Sequence, residues 1–469
     1  MKGKEVLPQM RRIDISKVFF FTVLTIVIIG GVFYFGLYSG AKKTVVYKSV
    51  NAFTKNLLKS ANLVKDESTT LTKTHPDHFL QPDRYKGNGV TINQVNPDQD
   101  DYIFMSGFFE NGNQLRLMKR DGTIVAKWPV KFYDIFKNTK FIKEPPATNW
   151  NTDTHGALAL PDGSVVFNFE YCGLVKLDRC GKVVWKLQRE TNHSVERSEK
   201  GGFWVPGRRH LPKESKTPFP PFDPPFAEDT ILHVSDDGKI LKEISVPGLF
   251  YKNNLEAVLT ASGNWYDLNL NWDREILHLN KVAELSSDMA KDFPMFKVGD
   301  LLLSIRESNL LMVIDPDTLK IKWWRIGPWI RQHDPDFNPG GLISVFNNNC
   351  YRTAFGRSGT DTSPLDAPRV SNIIEINPAT DVFKVVYGEK PGQEMLSIIR
   401  GKHQLTESGG WFITEFEGGR VFETDKEGNI IWQYINRYDE DEVAEISEAR
   451  IYPKSYFTVA DWTDCKRGE

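Results

Sequence analysis

"HGALALPDGSVVFNFEYCGLVKLDRCGKVVWKL", residues 155–187, contains four short runs rich in apolar, β-branched and aromatic residues. Turn residues separate the runs, and "PDG" closes the first hairpin. Short runs of this kind joined by turn residues favour an antiparallel meander. The stretch therefore predicts a four-stranded sheet whose first strand begins at His155.

The same pattern recurs along the chain and predicts the fold. Six segments share an apolar run, an Asp- or Gly-bearing turn and a second apolar run, often ending in Trp: residues 115–128, 174–187, 231–244, 311–324, 373–386 and 421–434. Each follows another β run, and a further strand ahead of that run completes a unit of four strands. Six such units predict an all-β fold, a six-bladed β-propeller over residues 86–469. Arranging repeated four-stranded sheets around an axis leaves only short, protected sheet edges, which makes this fold favourable for such a chain.

The N-terminal region predicts a membrane anchor ahead of the propeller. Residues 18–41, "VFFFTVLTIVIIGGVFYFGLYSGA", carry no charge and are numerous enough to cross a bilayer as a helix. The Lys and Arg residues before them favour a cytoplasmic tail over residues 1–17, an anchor in the cell inner membrane and a propeller on the periplasmic or extracellular side. "SGA" at 39–41 would also suit a cleavage site, so a secreted form is the alternative.

Residues 42–85 are predicted to form a juxtamembrane helix and a polar linker. Apolar residues recur at helical spacing over residues 44–65. Such a helix would serve as a stalk through which the chain forms homo-oligomers, or it would pack on the domain.

Charge and cysteine content exclude some classes of function. The net charge is -2 and Lys and Arg are scattered, so no basic surface for nucleic acid is predicted. The four cysteines form no CxxC motif, which argues against a thioredoxin-like or cysteine-rich zinc site. Cys172 and Cys180 flank a predicted strand whose ends lie roughly 20 Å apart, too far for a disulfide between them.

Two repeats carry an insertion between their second and third strands, at residues 210–229 and 350–371. Loops of this length inside a compact domain usually have a role. The first is rich in Pro and Phe and predicts a lid over one face of the propeller; a tolerated surface loop is the alternative.

Histidines recur where the first strand of a repeat begins. His155, His193, His278 and His333 hold this place in four units, so four imidazoles are expected to point at the propeller axis. In the last unit, "IIRGKHQLTESGG", Arg400 aligns with His155, and alternation along a strand places Arg400 and His403 on opposite faces. Which of these two meets the channel stays open, and a repeat can also retain histidine for structural reasons.

Convergent histidines suit acid–base or nucleophilic chemistry, because imidazole titrates near neutrality and its neutral form attacks electrophiles. Without a nearby carboxylate or cysteine set, the pattern predicts no metal and no cofactor. Nearby arginines, Arg306, Arg352, Arg357 and Arg400, would pair with a sulfuryl or phosphoryl group.

At these residues the chain resembles the bacterial arylsulfotransferase (arylsulfate sulfotransferase) family. The resemblance is strongest over residues 276–352, where "HLNKVAEL", "DLLLSIRES", "QHDPDFNPGGLISVFNNN" and Arg352 follow in the family's order. It implies a propeller outside the cytoplasm that moves a sulfuryl group from an aryl sulfate to a phenol, independently of PAPS and through a sulfohistidine.

The resemblance also implies roles for individual residues. It gives catalytic roles to His278, His333 and Arg352, with His403 as the nearest match to a late-chain nucleophile. His155, His193, Arg306 and Arg400 are expected to bind substrate.

The chain departs from the family pattern in two places: "VFNNN" lacks the family's Asp, and the last repeat reads "RGKHQL". A membrane-anchored propeller that binds a ligand or protein partner without catalysis is therefore a second hypothesis. A hydrolase that uses the same histidines and arginines is a third.

Overall fold

The computed structural model of the chain describes residues 15–51, 53–54, 75–96, 98–110, 112–216, 218–220, 222, 224–260, 276–350 and 371–465. The chain divides into two compact units, residues 1–72 and 73–469. In the first unit Ile15–Ala41 form an α-helix, long and apolar enough to cross a membrane. The helix predicted over residues 44–65 is present at 45–51 and 53–54, and the rest of that range lies outside the described residues.

The second unit is a six-bladed β-propeller, which confirms the fold predicted from the repeats. From inner to outer strand, blade 1 contains Ile446–Pro453, Asp101–Phe109, Gly112–Met118 and Ile124–Pro129; blade 2 contains Thr154–Ala159, Val165–Phe169, Gly173–Leu177 and Val183–Leu187; blade 3 contains Glu196–Arg197, Phe203–Leu211, Phe226–Val234 and Ile240–Ser245. Blade 4 contains Leu279–Glu284, Leu301–Ile305, Leu310–Ile314 and Ile321–Ile326; blade 5 contains His333–Asn338, Leu342–Asn347, Asn372–Ile376 and Phe383–Tyr387; blade 6 contains Lys402–Leu405, Trp411–Glu415, Arg420–Thr424, Ile430–Ile435 and Gly89–Asn93.

Short elements connect the blades. Leu80–Pro82 pairs with Glu442–Ala444 in a separate two-stranded sheet. The described helices of this unit are Phe132–Ile135, Val246–Lys252 and Glu256–Thr260, with 3₁₀ turns at Asp77–Phe79, Ala290–Asp292, Arg306–Ser308 and Lys454–Tyr456.

The ring is closed by strands from the two ends of the propeller sequence. The strand order of blade 1 therefore differs from the simple repeat that the sequence predicts. Its inner strand is not a run ahead of Asp101–Phe109 but the C-terminal strand Ile446–Pro453, with Ile451 opposite Ile103. The run that precedes blade 1, Gly89–Asn93, instead pairs with Ile430–Ile435 as a fifth, outermost strand of blade 6. Because each end of the chain pairs with a blade built mainly by the other end, opening the ring would expose two strand edges.

Tryptophans at the outer strands join neighbouring blades, which accounts for their recurrence at the end of the sequence repeat. Three indole N–H groups donate to a carbonyl in the outer turn of the next blade: Trp128 to Asp178 (3.1 Å), Trp185 to Asp236 (2.8 Å) and Trp432 to Arg120 (2.8 Å). Trp128 and Trp432 are fully buried, so their rings also fill the space between blades.

The two predicted insertions differ from expectation in extent. Strand pairing continues to Leu211 opposite Phe226, so the first predicted loop is shortened to residues 212–225. Residues 351–370 of the second lie outside the described part of the chain. A disulfide between Cys180 and Cys465 ties the C-terminal tail to the outer turn of blade 2.

Candidate active site

Four histidines and one arginine lie where the chain enters the inner strands. His155 and His333 belong to the first residues of the inner strands of blades 2 and 5, and His193 and His278 precede those of blades 3 and 4. His193, His278 and Arg400 share a left-handed backbone conformation, with φ of 53°, 59° and 57°. Non-glycine residues adopt this conformation rarely. The repeat thus gives the same backbone geometry to three of these five residues.

The four imidazoles form a single buried cluster. The ring centroid of His193 lies 4.3 Å from that of His155, 4.6 Å from that of His278 and 5.8 Å from that of His333. Nε2 of His193 and Nε2 of His278 are 2.8 Å apart, a hydrogen-bond distance. The structure therefore brings together His155, His193, His278 and His333, which come from four different blades.

Asn348 fixes the tautomer of His333. His333 Nδ1 lies 2.7 Å from Asn348 Oδ1, while Asn348 Nδ2 donates to the carbonyl oxygens of Ser397 and Arg400, each at 2.8 Å. Since both amide hydrogens are used in this way, the amide oxygen must accept and His333 must carry its proton on Nδ1. The lone pair of the neutral ring is then on Nε2, which is buried and has no hydrogen-bond partner among the described residues.

Burial keeps the cluster uncharged. It lowers the pKa of His333 well below the ordinary value, and the nearby Arg306 guanidinium lowers it further. Burial and Arg400 lower the pKa of His155 in the same way, and burial together with His155 lowers that of His193. The imidazoles of His155, His193 and His333 are therefore neutral at pH 7, the form in which a ring nitrogen can attack an electrophile.

Two arginines share one carboxylate beside the cluster. Arg306 Nε and Nη2 donate to Glu307 Oε1 at 3.1 and 2.6 Å, and Arg331 Nη2 and Nη1 reach the two oxygens of the same carboxylate at 3.1 and 3.4 Å. Burial and Arg306 lower the pKa of Arg331, which is the effect expected of two cations held close together. One carboxylate balances only one of these two charges, so the pair suits an added anionic group.

A cavity of about 650 Å³ lies next to these groups. It is lined by Ile142, Lys143, Glu144, Pro146, Asn151, Glu170, Tyr171, Cys172, Glu190, Arg208, His210, Ala227, Arg306, Glu307 and Arg331. The Arg306 guanidinium adds to burial in lowering the pKa of His193 and of His333. Glu170 pairs with Arg400, whose charge adds to burial in lowering the pKa of His155. Two residues of the cavity wall, Arg306 and Glu170, thus link the cavity to the groups around the histidine cluster, and the cavity volume is that of a small-molecule site.

Comparison with known proteins places this architecture in a family. Residues 156–437 match the model of the family described as Arylsulfotransferase (ASST). The chain belongs to the arylsulfotransferase family. No curated protein matches it.

Solved structures also resemble this arylsulfotransferase-family chain. A protein of unknown function from Bacteroides caccae is 13% identical with a TM-score of 0.46, covering 75% of this chain and 98% of the other. A catalytically inactive virginiamycin B lyase from Staphylococcus aureus with quinupristin is 12% identical with a TM-score of 0.35, covering 63% and 74%. Similarity at this level carries no argument about the function of this chain.

Two site residues suggested by the family resemblance, His403 and Arg352, are not part of the imidazole cluster: His403 lies apart from it, and Arg352 lies outside the described residues. His403 lies between blades 5 and 6, where its Nε2 is 2.6 Å from Ser344 Oγ and its ring packs on Trp411. Burial lowers the pKa of His403 to about 4. Its main-chain N–H donates to Asp334, so it faces an ionic network rather than the imidazole cluster. Arg352, like Arg357, lies outside the described residues.

Arg400, and not His403, occupies the position in blade 6 that corresponds to the cluster histidines. Its guanidinium pairs with Asp153 and, at 2.9 Å, with Glu170, and it lies 4.3 Å above the ring of Phe416. Burial opposes the charge of Asp153, but Arg400 and His78 outweigh it and lower the pKa of that carboxyl. The register that the sequence left open therefore places Arg400 near His155.

A buried ionic network joins the inner strands of five blades. Lys281 Nζ lies 2.8 Å from Asp334 and 2.8 Å from Glu196, and Lys402 Nζ lies 3.1 Å from Asp334. Arg450, from the C-terminal strand, pairs with Glu196 at 2.7 Å. Each partner comes from a different blade, so the network fixes the inner strands relative to one another.

The spacing of the imidazoles bears on whether they hold a metal. Ring nitrogens of His193, His278 and His333 lie within 4.8 Å of one another. Two nitrogens on one tetrahedral zinc ion stay about 3.3 Å apart, given Zn–N bonds of roughly 2.0–2.1 Å. The 2.8 Å between His193 and His278 is closer than that and fits a hydrogen-bonded pair.

Sequence reasoning missed three groups that now belong to the site. Asn348 lies in the "VFNNN" segment directly after a strand, and Arg331 lies two residues before His333, so both were adjacent to a recognised motif. The pair His210 and Glu190 comes from different segments of the chain and gave no local signal.

Proposed function

We propose that this chain transfers a sulfuryl group from an aryl sulfate ester to a phenolic acceptor, independently of PAPS, with His333 as the nucleophile. One observation carries the assignment of the nucleophile: Asn348 holds the proton of His333 on Nδ1, which leaves a buried Nε2 lone pair without a hydrogen-bond partner in the part of the chain that the structure describes. Membership of the arylsulfotransferase family supports the class of reaction.

The first half of the reaction forms one bond and breaks one. The Nε2 lone pair of His333 attacks sulfur, an N–S bond forms, and the S–O bond to the aryl group breaks so that a phenolate leaves. The product is a sulfohistidine whose Nδ1–H still donates to Asn348. In the second half the acceptor oxygen attacks the same sulfur, the N–S bond breaks, and His333 regains its lone pair. Holding the reactants in line supplies much of the rate enhancement in a transfer of this kind.

Neighbouring groups would hold the sulfuryl oxygens. Arg306 and Arg331, which share the carboxylate of Glu307, would pair with the charge that develops on those oxygens. The hydrogen-bonded imidazoles of His193 and His278 provide further contacts. Arg352 stays a candidate for the same role.

Two further residues from the sequence analysis have distinct roles in this proposal. His155 and Arg400 border the site, where burial and the Arg400 charge lower the pKa of His155 and keep its imidazole neutral. His403 is not carried forward as nucleophile, because it faces Ser344 and the ionic network.

We further propose that Ile15–Ala41 anchor the protein in the cell inner membrane with the N-terminus in the cytoplasm and the propeller on the periplasmic side. The positive residues before the helix support this orientation. The Cys180–Cys465 disulfide supports an oxidising compartment for the propeller. Homo-oligomer formation through residues 44–65 stays a prediction.

The experiment that tests the function uses the full chain in detergent with a chromogenic aryl sulfate, with and without a phenol. Acceptor-dependent phenol release, abolished by His333→Ala and accompanied by a trapped sulfated histidine at position 333, is the expected result. His403→Ala should retain transfer if it folds as stably as the unsubstituted chain.

Other outcomes would replace the proposal. Loss of transfer on treatment with a chelator would point to a metal on the imidazoles. Phenol release that no acceptor accelerates would indicate a hydrolase. Absence of release across a broad panel of aryl sulfates would favour a propeller that binds a ligand without turnover.

A further inference from the structure

His210 and Glu190 form a hydrogen-bonded pair in the wall of the cavity. His210 Nε2 lies 2.7 Å from Glu190 Oε2, and the main-chain N–H of Lys143 donates to Glu190 Oε1 at 2.8 Å. Both carboxylate oxygens therefore have a fixed partner. Glu190 is buried and the side chain of His210 is 31% exposed, and both line the cavity. Glu190 thus orients the imidazole of His210, and part of the imidazole side chain is exposed to the cavity.

The carboxylate determines which ring nitrogen is basic. An ionised carboxylate only accepts hydrogen bonds, so the proton of neutral His210 sits on Nε2, between the ring and Glu190. The lone pair of His210 is then on Nδ1. A histidine oriented in this way by a carboxylate is the arrangement that enzymes use for a general base.

The pair lies close to the site of sulfuryl transfer. Glu190 precedes His193 by three residues, a stretch that spans at most about 10 Å. The cavity that His210 and Glu190 line is also lined by Arg306 and Arg331, the proposed contacts of the sulfuryl group. The pair and these two arginines therefore face the same cavity.

We infer that His210, oriented by Glu190, is the general base that deprotonates the hydroxyl group of the acceptor. The inference rests on the proposed sulfohistidine and concerns the second half of that reaction. As the acceptor oxygen bonds to sulfur, its proton passes to Nδ1 of His210, the N–S bond breaks, and its electron pair returns to Nε2 of His333. His210 then releases the proton to the phenolate of the first half-reaction or to water.

A general base predicts which acceptors depend on it, according to whether their hydroxyl group is ionised. A base is needed for hydroxyl groups that are un-ionised at neutral pH, such as those of simple phenols. It contributes little with nitrophenols at about pH 8, where their hydroxyl group is largely ionised and that of phenol is not. The dependence of the rate on acceptor acidity therefore distinguishes a general base from a residue that only stabilises the cavity wall. A general base typically raises the reaction rate by about 10²–10⁴-fold.

The test measures the two half-reactions separately in the full chain in detergent. His210→Asn should give the same burst of phenol from an aryl sulfate without acceptor as the unsubstituted chain. Turnover with unsubstituted phenol should fall by about 100-fold or more, and turnover with a nitrophenol acceptor by no more than about fivefold. Glu190→Gln should show the same pattern with a smaller loss.

His233→Asn is the matched control. His233 lies in the same blade, where its Nε2 contacts the carbonyl oxygen of Gly201 at 2.9 Å and its ring stacks on Trp204. This variant should retain both half-reactions. An equal loss for all acceptors, or a reduced burst, in His210→Asn would overturn the general base. Absence of a burst in the unsubstituted chain would instead overturn the sulfohistidine, and the general base with it.

Discussion

Replacing Asn348 with alanine should slow sulfation of the site, because it removes the group that fixes the tautomer of His333. Asn348 Oδ1 accepts from His333 Nδ1 at 2.7 Å. Losing one orienting hydrogen bond in a buried site costs about 1–2 kcal/mol. A tenfold change in rate corresponds to about 1.4 kcal/mol, so we expect the burst of phenol release to slow by about five- to thirtyfold.

Asn192 provides a matched control for this experiment. Its Oδ1 lies 2.8 Å from His155 Nδ1, so it forms the same amide–imidazole contact with another member of the cluster. If His333 is the nucleophile, Asn192→Ala should leave the burst rate within about twofold of that of the unsubstituted chain. Stopped-flow measurement of phenol release without acceptor compares the two variants directly.

Stability has to be measured alongside the burst, because the two asparagines support different numbers of contacts. Asn348 also donates to the carbonyl oxygens of Ser397 and Arg400, so alanine there removes three hydrogen bonds, or about 3 kcal/mol of unfolding free energy. Asn192→Ala removes one contact to His155, or about 1 kcal/mol. An unchanged burst in Asn348→Ala, with urea unfolding proving that the variant is folded, would refute the assignment of the nucleophile. A slower burst in Asn192→Ala alone would point to His155.

Three further predictions concern pH, the axial network and the disulfide. Because the pKa of His333 is lowered, its neutral form persists as pH falls, so the burst rate should stay level from about pH 7.5 to about pH 5.5; a fall with a midpoint near pH 6.5 would contradict this. Lys281→Met removes one of the two cations that pair with each of Asp334 and Glu196 and should lower the unfolding free energy by about 1–3 kcal/mol in urea titrations, since Lys402 and Arg450 keep both carboxylates paired. Cys465→Ser should lower that free energy by about 2–5 kcal/mol in the same titrations without changing transfer, because Cys180 lies on an outer turn of blade 2.

The fold was predictable because its signal is local and repeated. Each blade is specified by short apolar runs and turn residues, often with a tryptophan near the end of the outer run, and three of these tryptophans bridge adjacent blades. The closure of the ring was not predictable in the same way. Pairing of Ile446–Pro453 with Asp101–Phe109 joins residues from opposite ends of the propeller, and no local pattern distinguishes it from a strand ahead of blade 1.

The site was predictable to the extent that it inherits the repeat. His155, His193, His278 and His333 meet because equivalent positions of blades converge on one axis. The partners that decide their chemistry do not follow the repeat. Asn348 acts on His333 from a neighbouring strand, and the pair of His210 and Glu190 forms between two segments that only the fold brings together.

Blade 6 illustrates how the repeat and the chemistry can separate. Arg400 keeps the left-handed backbone of His193 and His278, and its carbonyl oxygen accepts from Asn348, so the main chain at this position supports the tautomer of His333. Its side chain acts elsewhere: the guanidinium pairs with Asp153 and lowers the pKa of His155. A histidine at this position could form the same main-chain hydrogen bond, but it would lack the permanent charge. The backbone of blade 6 therefore serves the proposed nucleophile, while the Arg400 side chain adds to burial in keeping the imidazole of His155 neutral.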